Sequence, residues 1–271
     1  MNVHARPDSK TILLREDRDS IALLTLNNPA ARNALSDELI DALAAAFDTI
    51  GREASVRAVI VAANGPAFSA GHDLKQLTKR RSDPDGGKAY FRDVMTRCSA
   101  MMQKIVTLPQ PVIACVSGIA TAAGCQLVAT CDLAVASADA RFATPGVDIG
   151  LFCSTPMVAL TRNIPRKNAM HMLLTGERVG ADEAMRLGLI NKVVPHGTER
   201  DAAFALARTV ASKSRATVKT GKEAFYRQAE MGLAEAYAYA SEVMTQNMMT
   251  RDANEGICAF IDKRDPKWED R

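Results

Sequence analysis

Two apolar segments, each followed by small residues and then by a helix-like pattern, constrain the fold of this chain most. Residues 56–63 and 112–116 are almost wholly apolar, as expected for strands covered on both faces, and residues 133–136 repeat the pattern. Segments of helical length lie at residues 73–80, 88–107 and 122–130. Strands that alternate with helices indicate an α/β fold with parallel strand pairing.

The two ends of the chain differ in their patterns. Residues 21–26 form another apolar, β-branched run, and Ser36 is a suitable N-cap for a helix that stops at Gly51. After about residue 198 the strand signals disappear, and helix-like segments occupy residues 198–214, 217–231, 234–249 and 252–263. We therefore divide the chain into a core at residues 1–197 and a helical region at residues 198–271.

Composition excludes several classes of function. The net charge is only +3, from 34 basic and 31 acidic residues, and no dense basic run occurs, which argues against a nucleic-acid partner. Six cysteines without a C-x-x-C pair indicate reduced thiols in a cytoplasmic protein. The four histidines do not cluster with the cysteines, so we predict no metal site. Residues 1–10 carry charges and no apolar core, so they do not resemble a secretory signal.

A long uncharged stretch needs separate interpretation. Residues 105–131 contain no charged side chain, and they are long enough to span a bilayer. Prolines, glycines and glutamines interrupt the stretch, and many of its residues are only Ala, Ser or Thr. We interpret it as a buried strand, a turn and a buried helix, with a membrane span as the less favoured alternative.

The small-residue turns after the first two strands are candidate ligand sites. In the turn F-S-A-G-H-D-L-K at residues 68–75, Gly71 permits unusual backbone angles and the His72 amide lies near a helix N-terminus. In the turn at residues 118–126, small residues at 120 and 122–124 permit close approach of a ligand or of another backbone. Each turn alone is a weak signal, and tight packing explains the second one as well. Together they can direct two backbone N–H groups at one oxygen, and each donor of such an oxyanion hole is worth ~3 kcal/mol in a transition state.

Several segments carry a specific resemblance. F-S-A-G-H-D-L-K and G-x-A-x-A-A-G-C-Q-L-x-x-x-C-D are similar to the two signature regions of the crotonase (enoyl-CoA hydratase/isomerase) superfamily. Residues 28–35 (N-P-A-A-R-N-A-L) resemble its early CoA-contacting turn, and residues 143–151, 174–177, 181–194 and 256–266 match its later landmarks. The resemblance is colinear over residues 11–268.

The resemblance implies a fold, a ligand and an assembly. The fold would be a spiral of ββα units with a helical C-terminal trimerisation region, and the assembly a homotrimer or a dimer of trimers. The ligand would be an acyl-CoA thioester, with no permanently bound cofactor because coenzyme A is part of the substrate. The thioester oxygen would be held by the amides of His72 and Ala123. Phe260 and Lys263 would approach the adenine end, from the same or a neighbouring subunit, and the rest of the CoA would lie along Ala30, Arg32, Ala34, Ala70, Gly71, Asp73, Leu74 and Lys75. For Lys75 and Lys263, an ordinary solvated lysine is the alternative.

The sequence departs from the family where the catalytic carboxylates are expected. Hydratases of the family use two glutamates, which correspond here to Gln126 and Gly146, and the aspartate of some isomerases falls near Ser154. A general base needs a titratable group, and losing one costs ~10²–10⁴ in rate. Fast conventional hydration is therefore not expected, although enoyl-CoA hydratase, a lyase of fatty acid metabolism, is the nominal activity.

Candidate replacements and alternative functions remain open at this point. The ring of His72, Cys153 and Ser154 are candidate proton donors, whereas for Asp148 a turn or a structural hydrogen bond is the favoured interpretation. Decarboxylation of a malonyl-type thioester forms an enolate without any base, and G-H-D also resembles methylmalonyl-CoA decarboxylases of the superfamily. A non-catalytic acyl-CoA-binding protein is the third possibility.

Overall fold

The computed structural model describes residues 11–271, and ten strands form two sheets within that range. The predicted absence of a secretory signal concerns residues 1–10 and lies outside the described residues. The strands are β1 (Leu13–Arg18), β2 (Ile21–Leu26), β3 (Ala58–Ala63), β4 (Ala67–Ser69), β5 (Val112–Val116), β6 (Ile119–Thr121), β7 (Leu133–Ser137), β8 (Arg141–Ala143), β9 (Val179–Gly180) and β10 (Lys192–Val194).

Eleven α-helices surround the sheets in the same part of the chain, together with two 3-10 helices at Pro29–Ala31 and Pro145–Ile149. The α-helices are α1 (Asp37–Ile50), α2 (Leu74–Arg80), α3 (Lys88–Thr107), α4 (Ala123–Thr130), α5 (Ser154–Leu160), α6 (Arg166–Thr175), α7 (Ala181–Leu187), α8 (Glu199–Ala211), α9 (Arg215–Gln228), α10 (Leu233–Met248) and α11 (Arg251–Asp262). The predicted caps are present, since Ser36 accepts a hydrogen bond from the Leu39 amide and Gly51 ends α1.

The two sheets share one repeating connection. The larger sheet has the order β1-β2-β3-β5-β7-β10 and is parallel except for β1 against β2. The smaller sheet has the order β4-β6-β8-β9 and is parallel except for β8 against β9. From β3 onward, each unit gives one strand to the larger sheet, one to the smaller sheet, and then a helix: β3-β4-α2, β5-β6-α4 and β7-β8-α5. The predicted α/β spiral of ββα units is confirmed.

Strand β3 is buried on both faces, as predicted. Val59 and Val61 belong to the apolar core that also contains α1, α3 and α4. Ile60 faces the opposite side, where Ala203 and Ala207 of α8 cover it. The first helix of the predicted C-terminal region therefore packs on the sheet, and the division at 197/198 stays a prediction.

The last three helices leave much apolar surface exposed within one chain. Helix α10 packs on α9 and α11. Large apolar side chains with more than two fifths of their surface exposed are Phe225, Leu233, Tyr237, Met244, Met248, Met249, Ile257, Phe260 and Ile261. Exposed apolar area of this extent is typical of a surface that another protein covers.

The uncharged stretch at residues 105–131 forms the end of α3, then β5, β6 and α4, with both β5 and α4 buried. The interpretation as a buried strand, turn and helix is confirmed. Among residues 11–271, no helix combines the length and apolar character needed to cross a bilayer.

Candidate functional site

The side chain of Asn33 fixes the turn at residues 28–35 against the end of β3. Asn33 is fully buried and has a positive φ of 51°, which asparagine tolerates better than most residues. Its Nδ2 donates to the carbonyl oxygens of Asn64 (2.9 Å) and Ala67 (2.8 Å), and its Oδ1 accepts from the Asn28 amide at 2.8 Å. Sequence reasoning missed this residue, because an asparagine is common in surface turns of any kind.

The same turn orients the amide of His72. The Leu35 amide donates to the Gly71 carbonyl at 2.8 Å, and the Asp73 amide donates to the Leu35 carbonyl at 3.3 Å. In such a parallel bridge, the residue between the two hydrogen-bonded residues directs its own N–H away from the partner strand. The His72 N–H is therefore directed away from Leu35. Ser69 supports the arrangement, since its hydroxyl donates to the Asn33 carbonyl at 2.8 Å.

The N-terminus of α4 lies directly against this segment. A β-carbon on Gly71 would lie 3.2 Å from the Ala123 backbone nitrogen, and one on Gly124 would lie 2.3 Å from the Ser69 carbonyl oxygen. Glycine at both positions therefore permits a close approach that any side chain would prevent. The structure thus brings the two small-residue turns together, with Gly71 and His72 on one side and Ala123 on the other.

Backbone strain accompanies this contact. Ala122 has φ 49° and ψ −119°, a conformation that favours glycine, and its amide donates to the Ala143 carbonyl at 2.9 Å. Strain of this kind costs about 1–3 kcal/mol and persists only where the surroundings enforce it. The conformation of Ala122 turns the chain so that the next residue, Ala123, begins α4 with its N–H free of an intrahelical partner.

Within residues 11–271, neither the His72 nor the Ala123 amide donates to a protein acceptor. Two such free donors on adjoining segments can bind one oxygen atom.

The ring of His72 is uncharged near neutral pH. Burial lowers the pKa of His72 below its ordinary value of 6.5. Its Nε2 atom is buried and has no hydrogen-bond partner among the described residues. The ring can therefore form a hydrogen bond to a ligand, but burial disfavours the imidazolium form that a general acid needs.

Gln126 lies on the first turn of α4, where the first family glutamate is expected. It is only 5% exposed, and its Oε1 atom is buried without a hydrogen-bond partner among the described residues. A buried amide oxygen of this kind is normally satisfied by a protein group, a water or a ligand. Gln126 can thus orient a bound group but cannot take up its proton.

The position that the resemblance predicts for the second family glutamate leaves no room for a side chain. Gly146 is buried in the 3-10 helix, and a β-carbon there would lie 2.9 Å from the Leu151 carbonyl oxygen and 3.0 Å from the Cys153 Sγ atom. Burial raises the pKa of the Cys153 thiol, and the nearby Gly146 backbone lowers it by less. A buried thiol with a raised pKa therefore lies beside residue 146, the position that the resemblance assigns to a carboxylate. All six cysteines are free, and Cys258 is the exposed one.

The remaining candidates near this position are solvent-facing. Ser154 is exposed at the start of α5, and its hydroxyl donates to the Phe152 carbonyl at 3.3 Å. Asp148 lies in a 3-10 helix and not in an extended segment, so it does not share a direction with Gly146. No hydrogen bond among the described residues joins Ser154 or Asp148 to His72 or Gln126.

Eight of the predicted CoA-contacting residues lie on two segments that meet at the Leu35–His72 bridge and form a border beside His72. They lie on the turn at residues 28–35 and at the start of α2, where the Asp73 carboxylate accepts from the Lys75 amide at 2.8 Å and caps the helix. The exposed members are Ala30, Arg32, Leu74 and Lys75, and the more buried members are Ala34, Ala70, Gly71 and Asp73.

Phe260 and Lys263 lie elsewhere in the same chain. Phe260 is 85% exposed near the end of α11, and Lys263 ends that helix with a positive φ of 54°. No hydrogen bond or ion pair within residues 11–271 joins either residue to the turn at 28–35 or to α2. Helix α11 itself packs on α9 and α10.

Comparison with known proteins identifies the family. Residues 16–271 match the family described as enoyl-CoA hydratase/isomerase. The chain belongs to the enoyl-CoA hydratase/isomerase family. It is 47% identical to the human mitochondrial enoyl-CoA hydratase domain-containing protein 3 over 92% of this chain and 81% of the relative. The rat protein of the same name is 46% identical over 97% of this chain and 87% of the relative.

Solved structures of the enoyl-CoA hydratase/isomerase family agree with the fold. A crystal structure of an enoyl-CoA hydratase from Mycobacterium smegmatis is 51% identical, with a TM-score of 0.91, over 96% of this chain and 99% of that one. The crystal structure of human enoyl-CoA hydratase domain-containing protein 3 is 45% identical, with a TM-score of 0.90, over 95% of this chain and all of that one. The names of the human and rat relatives include the word mitochondrial, so the cytoplasmic location expected for this family member stays a prediction.

Proposed function

We propose that the chain binds an acyl-CoA thioester and polarises its carbonyl oxygen between the amides of His72 and Ala123. The observation that carries this proposal is the approach of Gly71 to the Ala123 nitrogen, with both amides free of protein acceptors within residues 11–271. Coenzyme A arrives as part of the ligand, along the border from Ala30 to Lys75, and no separate cofactor is required.

We propose further that hydration is not the main reaction, although hydratase/isomerase is the name of the family. Adding water across a double bond needs a base that takes a proton from that water. Gln126 is an amide, Gly146 has no side chain, and burial keeps the Cys153 thiol protonated. Each of the two missing acid–base roles costs a factor of ~10²–10⁴ in rate, so turnover would be far below that of a conventional hydratase.

Decarboxylation of a malonyl-type thioester is the second candidate, and the absence of a carboxylate at Gln126 and Gly146 favours it. The bond between the α-carbon and the carboxylate breaks, carbon dioxide leaves, and the electron pair forms an enolate whose oxygen the two amides hold. The α-carbon then takes a proton from water or from a neighbouring N–H, O–H or S–H group. An acidic acyl group enters more readily because no carboxylate repels it, and the unpartnered His72 Nε2 atom is available as a polar contact.

The assembly is also a proposal. The exposed apolar side chains of α9–α11 support burial against further copies of the chain as a homotrimer or a dimer of trimers. In such an assembly, Phe260 and Lys263 of one copy can reach the CoA of another.

A single assay panel tests these proposals. The protein is incubated with crotonyl-CoA, malonyl-CoA and methylmalonyl-CoA, products are measured by mass spectrometry, and binding of each thioester is measured by calorimetry. We expect binding of thioesters, negligible hydration of crotonyl-CoA, and loss of carbon dioxide from a malonyl-type substrate. Binding without any turnover would leave a non-catalytic acyl-CoA-binding protein, and hydration at the rate of conventional hydratases would overturn our interpretation of Gln126.

A further inference from the structure

A buried ion pair lies at the end of α4 opposite to Ala123. Lys222 on α9 and Asp132, two residues after α4, place Nζ and Oδ2 2.6 Å apart. Their side chains are 7% and 14% exposed, so this pair is screened far less than the other ion pairs of the surface. Neither residue belongs to the site described above, and 90 positions separate them in sequence.

The pair is internal, because Lys222 has no donor left for a ligand. An ammonium group has three N–H donors. Nζ donates to the Ile105 carbonyl (2.8 Å), to the Gln110 carbonyl (3.1 Å) and to Asp132. Lys222 therefore joins the C-terminal helical region to the end of α3, to the start of β5 and to the end of α4.

The carboxylate of Asp132 holds both ends of one chain segment. Besides Lys222, it accepts from the Val112 amide at 2.7 Å and from the Tyr226 hydroxyl at 2.9 Å. Val112 begins β5 and Asp132 follows α4, so the segment from 112 to 132 is closed at its base by one side chain. The far end of that segment is the strained Ala122 and the amide of Ala123.

Helix α4 connects the base of this segment to the site as a short rigid rod. Its eight residues span about 12 Å at 1.5 Å per residue. At the site end, Gly124 touches Ser69 so closely that α4 has little room to move inward. A shift of Asp132 therefore changes the position and direction of the Ala123 N–H, and hydrogen bonds weaken steeply as they lose alignment.

We propose that Lys222 is a positioning residue for the thioester site, which couples the docking of α9 to the placement of the Ala123 amide. This inference rests on the proposed function, since it assumes that Ala123 donates to a thioester oxygen. The cation is needed because a buried carboxylate without one relaxes toward water or takes up a proton. The C-terminal helices would then support the site of their own chain as well as any assembly.

The test uses the full chain and the CoA thioester of 4-dimethylaminocinnamate, whose absorbance moves to longer wavelength when hydrogen bonds polarise its carbonyl. The variant is Lys222→Met, and the matched control is Lys219→Met, an exposed lysine one turn earlier on α9. We expect the variant to lose about half or more of the red shift of the bound thioester. We expect it to bind the thioester about 10-fold more weakly while its affinity for free coenzyme A stays unchanged. The control keeps both properties.

A second pair of variants separates positioning from stability. In Lys222→Met with Asp132→Asn, the asparagine oxygen still accepts from the Val112 amide and no charge is left unpaired, so part of the red shift returns. If Lys222→Met does not fold, Tyr226→Phe removes one bond to the same carboxylate, and we expect it to lower the red shift less.

A full red shift in folded Lys222→Met would overturn the inference, as would an unchanged red shift in Tyr226→Phe where Lys222→Met does not fold. Equal weakening of thioester and free coenzyme A binding would also overturn it, because that pattern indicates a general loss of structure. If the wild-type protein binds the thioester with no red shift, the proposed function fails first and this inference with it.

Discussion

A β-carbon on Gly146 would lie 3.0 Å from the Sγ atom of Cys153, closer than nonbonded atoms of these types normally approach. The Leu151 carbonyl oxygen, at 2.9 Å, closes the other side of the same position. The segment that follows therefore closes the space at residue 146, the position that the resemblance assigns to the second carboxylate of the family hydratases. A carboxylate cannot be restored at residue 146 without moving residues 151–153.

This contact predicts that Gly146→Ala is destabilising although alanine is small. The added methyl group must displace a backbone carbonyl or the thiol, which costs about 1–3 kcal/mol of unfolding free energy. Adding Cys153→Ala to Gly146→Ala removes one of the two clashes. The unfolding free energy of this double variant therefore falls by less than the sum of the decreases in the two single variants. Urea denaturation of the four proteins measures this coupling, and strictly additive losses would contradict the contact.

The contact between Gly124 and Ser69 predicts a larger effect. Gly124→Ala places a methyl group 2.3 Å from a backbone carbonyl oxygen, which has no flexible end to move away. We expect a loss of about 2–3 kcal/mol in stability and weaker binding of CoA thioesters, because α4 is pushed away from His72.

Gly221→Ala is the matched control for that substitution. Gly221 lies within α9, and a β-carbon added there would have no atom within 4 Å, so alanine stabilises the helix by about 0.5–1 kcal/mol. Thermal unfolding and calorimetry compare the two proteins, and equal behaviour would mean that α4 does not approach β4 this closely.

The strained backbone at Ala122 predicts that glycine is favourable there. Relief of the strain outweighs the extra chain entropy of glycine, so Ala122→Gly raises the unfolding free energy by about 1 kcal/mol. Ala45→Gly, at an exposed position within α1, instead lowers it by about 1 kcal/mol. Similar losses in both variants would show that Ala122 is not strained.

The buried ring of His72 predicts a specific pH dependence of stability. Burial lowers the folded-state pKa below 6.5, so the unfolded chain binds the proton more tightly than the folded chain. Its contribution to stability is complete above about pH 6.5 and is lost as the pH falls toward the folded-state pKa. Unfolding free energies at about pH 7.5 and about pH 5.5 should therefore differ less in His72→Gln than in the wild type. The exposed His171 supplies the control His171→Gln, which should keep the wild-type difference, and an unchanged difference in His72→Gln would contradict burial of the ring.

The sequence predicts best those elements that have strong local signals. Helix α3 and strands β2 and β5 follow directly from apolar periodicity and flanking turns. Strand β1 was missed because it is a mostly exposed edge strand of sequence L-L-R-E-D-R. The strands of the smaller sheet have two or three residues, too few to establish a period of two.

Within the site, the sequence predicts the backbone donors but not what surrounds them. The glycine and helix-start signals locate the two turns and the His72 amide, because backbone geometry there depends on neighbouring residues, whereas the choice of Ala123 in the second turn came from the family resemblance. The hydrogen bonds of Asn33, the thiol of Cys153 beside Gly146 and the pair of Lys222 with Asp132 depend on tertiary contacts between separated positions. No local pattern reports such contacts.

The most direct test of the central claim is the infrared frequency of a thioester carbonyl labelled with carbon-13 and bound to the protein as butyryl-CoA. Hydrogen bonds from the amides of His72 and Ala123 lengthen the carbonyl bond, so we predict a band at lower frequency than that of the free thioester in water. A bound thioester whose carbonyl band stays at its solution frequency would contradict an oxyanion hole formed by these two amides.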